Sequence, residues 1–152
     1  MRKAKVVRAK ELKWEVAESV TLGKETGWKP DYESSLKVRQ GISSKTVESP
    51  RISMSRGLIP AGFRNEFHYH PNSDVGIHVL KGGLKAFLGP DDEREEVIVE
   101  EGDFLFIPAG TIHAFMSVSD TEPVEFVNGK SVSDTKGPGH VHAASRKQTG
   151  TK

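Results

Sequence analysis

Residues 102–113 read GDFLFIPAGTIH, and this stretch decides how the chain folds. The apolar run from Phe104 to Ile107 has strand length and strand composition, and turn signals bracket it: Glu-Glu-Gly-Asp before it and Pro108-Ala109-Gly110-Thr111 after it. A tight Pro-Ala-Gly turn leads the chain back on itself, so a second strand should start near His113 and continue through HAFMSVS. A histidine then stands where one strand ends and its neighbour begins.

Working outward, the same texture extends in both directions. LKVRQGI, RISMSRGLI, FRNEFHYH, VGIHVLKG, GLKAFLG, EEVIVEE and PVEFVNG read as strands rich in Val, Ile and Phe, with turn signals every eight to twelve residues. No segment beyond position 50 keeps a helical period for three turns. The expectation is an all-β sandwich or barrel over residues 36–130. Residues 1–35 should form an arm that is partly strand, with a turn around Lys10 and Glu11. Residues 131–152 have only Val132 and Val141 as large apolar residues and should be a mobile tail.

Length and composition limit the function. At 152 residues the chain fits one domain. Its 22 basic and 21 acidic side chains leave a net charge of +1, without the concentrated positive face that nucleic acid requires. With no cysteine there are no disulfides, catalytic thiols or thiolate metal sites, so a metal must be held by nitrogen and oxygen. No run of residues approaches a membrane span, and the charged N-terminus lacks the apolar core of a signal peptide. A cytoplasmic protein is expected.

The second informative stretch is FHYHPNSD, residues 67–74. On a strand His68 and His70 point to one face and Tyr69 to the other, so two imidazoles converge there. By the same alternation Arg64 and Glu66 share the face of His68. His78 lies an even number of residues from Asp74 and would follow it, although a surface position suits it better. His140 and His142 repeat the H-x-H pattern in the tail, where a metal role is not expected.

The spacing of these stretches resembles the two motifs of the cupin superfamily, G-x5-H-x-H-x3/4-E-x6-G and G-x5-P-x-G-x2-H-x3-N. Gly62, His68, His70 and Gly82 fit the first. Gly102, Pro108, Gly110 and His113 fit the second, with Ser117 in place of its final Asn. The resemblance covers residues 50–129 and implies a jelly-roll barrel, a double-stranded β-helix, in which His68, His70 and His113 ligate one divalent transition metal (Fe, Mn, Zn, Ni or Co). The family's fourth ligand is a Glu three or four residues beyond the H-x-H, where this chain has Asp74 and Val75. Asp74 has seven residues between it and Gly82 instead of six. Either a bulge turns it inward as the fourth ligand, or strand parity points it away and leaves an open three-histidine site.

Such a site implies a metal-dependent protein that binds and transforms a small oxygen-bearing organic molecule, with dioxygenase chemistry the leading class and isomerase or lyase chemistry behind it. The alternative is a non-catalytic binding or sensing module of the same fold. Substrate contacts are expected from Arg64, Glu66, Phe87 and Phe115. Small members of the family also imply a homodimer in which an N-terminal strand adds to a neighbour's sheet edge.

Overall fold

The computed structural model describes residues 3–17 and 36–134, together with the backbone of Val141–His142. Short strands in antiparallel pairs follow the alternation of the sequence. After a 3-10 turn at Ala9–Glu11 come β1 (Glu15–Val16), β2 (Lys37–Ile42), helix α1 (Ser44–Val47) and β3 (Ser53–Ile59). Then follow β4 (His68–Tyr69), β5 (Val75–Lys81), β6 (Leu84–Leu88), β7 (Glu95–Val99), β8 (Phe104–Ile107), β9 (His113–Ser117), β10 (Val124–Lys130) and β11 (Val141–His142). The helix is a single turn started by Ser43, whose hydroxyl accepts from the amides of Lys45 and Thr46 while the Thr46 hydroxyl accepts from the Ser43 amide.

Two sheets result, β1-β2-β3-β10-β5-β8 and β11-β4-β9-β6-β7. Burial every second residue shows which side of each strand meets the other sheet: Ser53, Ser55, Gly57 and Ile59 on β3; Val75, Ile77 and Val79 on β5; Leu84 and Ala86 on β6. Ile59, Val75, Ile77, Val79, Leu84, Ala86, Val99, Ile107, Phe115, Val124 and Phe126 form the core between the sheets. Phe126 lies directly over Gly57, its cross-strand partner, and a Cβ at that position would collide with the ring. The architecture is the expected jelly-roll sandwich.

The edges add detail that the sequence did not reveal. β1 pairs with β2 of its own chain, Glu15 opposite Val38, and so covers an edge of the larger sheet. Within the expected tail, the backbone of Val141–His142 pairs with β4, setting His142 opposite His68 in register. On the outer face of the larger sheet Phe104 is 79% exposed, and the ring of His78 stacks on it at 4.2 Å, well away from the interior. Residues 18–35 of the expected N-terminal arm lie outside the described residues. Among the described residues no helix is long and apolar enough to cross a membrane.

Candidate metal centre

β4 and β9 lie side by side with His68 directly opposite His113. Cross-strand partners share a face, and both point into the sandwich, where they are joined by His70 two residues further on. The three rings are buried, with centroids 4.3 Å apart for His68 and His113, 5.1 Å for His68 and His70, and 5.5 Å for His70 and His113. One ring nitrogen from each lies within 4.8 Å of the others. A point between them is therefore no more than about 2.8 Å from all three, less than an ångström beyond a metal–nitrogen bond of roughly 2.0–2.1 Å.

Backbone carbonyls set the ring orientation. His68 Nδ1 lies 2.8 Å from the Glu66 carbonyl, and His113 Nδ1 lies 2.9 Å from the Thr111 carbonyl. A carbonyl only accepts, so each Nδ1 carries a proton, and in the neutral ring Nε2 then keeps the lone pair a cation needs. Burial, opposed by the Thr111 carbonyl and assisted by nearby Lys130, pushes the His113 pKa from 6.5 down to about 4. This imidazole is therefore neutral at pH 7. Three imidazoles converging on one point are a donor set that fits a divalent transition metal.

The Pro-Ala-Gly turn is fastened to this arrangement from two sides. Gly110, whose φ of 83° suits a residue without Cβ, donates its amide to the His70 carbonyl at 2.8 Å. The Ala109 amide donates to the Asp74 carboxylate at 2.9 Å.

That second bond corrects the sequence reading of Asp74. The side chain is exposed and braces the turn instead of joining the three histidines, and its own amide donates to the Ser131 hydroxyl. Strand parity wins over the bulge: Val75, Ile77 and Val79 turn inward, so the position separated from Gly82 by six residues belongs to Val75. Among the described residues the three histidines converge without Asp74.

Arg64 and Phe87 also require correction. Arg64 is bridged to Met116, and His68 to His113, so the register slips by one residue between the two pairs and inverts the parity on which the sequence reading relied. Arg64 consequently faces outward, its guanidinium 4.5 Å from the Phe67 ring centroid. Phe87 is opposite Ala114, between inward Ala86 and Leu88, and packs edge-on against Phe67 outside the sandwich. Glu66 and Phe115 do line the interior, Phe115 with its ring 5.3 Å from that of His113.

A cavity of about 540 Å³ opens from the histidines toward the larger sheet, a size suited to a small molecule. Leu12, Val16, Leu36 and Val38 border it on the N-terminal side. Its far wall holds residues absent from the sequence-based set: Ser53, Ser55, Asn128 and Lys130. Alternation along PVEFVNGK could have found the last two, because they share a face with Val124 and Phe126.

Two facing antiparallel sheets around inward histidines define a jelly-roll sandwich of the kind that binds metals. The sequence matches the Cupin family model over residues 30–146, and the chain belongs to that family. It is 33% identical over 95 residues to an uncharacterised protein of Aquifex aeolicus, covering 59% of this chain and 74% of that one. It is 31% identical over 70 residues to germin-like protein subfamily 3 member 2 of Arabidopsis thaliana, covering 45% of this chain and 31% of the other. The fold is shared with an oxalate oxidase (TM-score 0.61, 22% identity, 72% of this chain and 55% of that one). It is also shared with Lactobacillus farciminis oxalate decarboxylase (TM-score 0.64, 23% identity, 82% and 36%). The chain thus spans about half the length of the oxidase and about a third of the decarboxylase.

Proposed function

We propose that this protein holds one divalent transition metal ion on His68, His70 and His113 and uses it to transform a small oxygen-bearing organic molecule, with dioxygenase chemistry as the reaction class. The observation that carries this reading is the convergence of three buried imidazoles on one wall of a cavity sized for a small ligand. The likeness in fold to an oxalate oxidase, and to a Bacillus subtilis oxalate decarboxylase with Mn(II) centres (TM-score 0.63, 19% identity), supports it.

A metal held by these three histidines would supply a Lewis-acidic centre, and in the iron form a redox-active one. The protein contributes the rest. The Glu66 and Thr111 carbonyls fix the ring tautomers, and burial keeps His113 neutral and available at pH 7. Phe115 and Phe126 form an apolar wall that excludes water from the reacting end of the cavity. Val75 withholds a carboxylate, leaving more of the coordination sphere to ligand.

Elemental analysis of protein purified without an affinity tag tests the first half, and about one transition metal per chain is expected. Oxygen uptake by the iron-loaded protein with a panel of diketones, diols and hydroxy acids tests the second. Ligand binding without oxygen consumption across that panel would replace the enzyme with a binding module.

A further inference from the structure

The wall opposite the histidines has a chemical identity of its own. β10 lies between β3 and β5, with Lys130 opposite Ser53 on one side and Val75 on the other, and Asn128 opposite Ser55 and Ile77. Ser53, Ser55, Val75 and Ile77 are buried facing the other sheet, so cross-strand register turns Lys130 and Asn128 the same way. Both residues line the cavity that the three imidazoles share. The side chain beside Val75, at the place where the motif would put its acidic ligand, is therefore an ammonium.

We propose that Lys130 and Asn128 form a recognition wall for a small organic acid, Lys130 receiving its carboxylate and Asn128 an adjacent hydroxyl, so that the ligand brings the negative oxygen that Val75 does not provide. A divalent cation on the histidines and the Lys130 ammonium would put positive charge on both sides of this end of the cavity, against the Glu66 and Asp134 carboxylates. In a poorly solvated space that charge favours an anion over a neutral molecule of the same shape. Asn128 Oδ1 is buried without a hydrogen-bond donor among the described residues, an unmet demand that a ligand O–H satisfies. The Ser53 and Ser55 hydroxyls add donors at the same level of the wall.

Burial lowers the Lys130 pKa from 10.5 to about 8, while Asp134 acts in the opposite direction. Asp134 is exposed, and its attraction does not offset the loss of water around the ammonium. Glu66, the acidic residue on the β4 side of the cavity, adjoins His68, across from β10.

This inference rests on the metal reading for its charge balance, but its test separates the two. Glycolate, lactate and malonate, each paired with its neutral amide, are titrated calorimetrically into wild type, Lys130→Met and Lys130→Arg. Each protein is studied metal-free and after loading with Mn(II), with its metal content measured. Wild type should prefer at least one acid over its amide by about tenfold or more, Lys130→Met should lose that preference, and Lys130→Arg should keep part of it. Thermal melts establish that each variant is folded, and Lys130→Gln stands in if the methionine variant is not. A folded Lys130→Met protein that binds the acids as tightly as wild type overturns the proposal, as does a wild type that binds no acid better than its amide. If no metal loads, the metal reading fails by itself and the metal-free titrations still decide the role of Lys130.

Discussion

The wall built from β4 and β9 presents three imidazoles, and the wall built from β3, β10 and β5 presents an ammonium, an amide and two hydroxyls. Backbone carbonyls on its own side fix the rings of His68 and His113. The opposite wall contains a buried amide oxygen with no donor among the described residues, as expected of a surface that meets its partner only when a ligand arrives. One wall is organised to hold an ion, and the other to choose what approaches it.

The strongest way to break this division is to remove a histidine. His113→Ala should reduce metal affinity by more than the roughly 10–100-fold that loss of an outer hydrogen bond costs, read as metal content after dialysis. A variant that retains a full equivalent would detach the ion from β9.

Acid should expose the same wall. His113 titrates at about 4 in the folded protein against 6.5 for an unperturbed histidine, so between these values the unfolded chain binds the extra proton. Stability of the metal-free protein should therefore fall as pH drops from about 6.5 to about 4, by about 3 kcal/mol from this group, and level off below. Urea midpoints across that range check it, and His113→Gln should remove the slope.

Val75→Glu sharpens the contrast by giving the ammonium wall its own carboxylate. Metal binding should tighten and glycolate binding should weaken, each by about tenfold, because the new side chain occupies both the open coordination position and Lys130. Unchanged glycolate affinity in a folded variant would separate Lys130 from the metal.

Two smaller effects lie outside the cavity. Asp74→Ala should cost about 1 kcal/mol by freeing the Ala109 amide, with metal content unchanged, whereas loss of the metal would reinstate Asp74 as a ligand. Arg64→Ala should shift stability by no more than about 1 kcal/mol and leave ligand affinity untouched, since the guanidinium rests on Phe67 outside the sandwich.

Much of the β4–β9 wall was legible from spacing. A glycine, a proline and a histidine at fixed intervals specify a turn and the first residue of the next strand, and these are local properties of the chain. Reading failed where parity had to be carried across an irregular segment. Between Arg64 and His68 the register slips by one, so a residue counted as inward is outward. Asp74 failed for a related reason: its chemistry suited a metal, yet its position one residue ahead of the inward set gave it a backbone amide to brace.

By itself the sequence determined the β-strand texture, the turn that precedes His113 and the common face of His68 and His70, because alternation and turn chemistry act over a few residues. Only the tertiary structure decided that Val75 rather than Asp74 faces inward, that Lys130 lies beside it, and that Lys130 lies across a cavity from the histidines. Those facts depend on register between strands far apart in the chain, and a shift of one residue exchanges the interior of a sheet for its exterior.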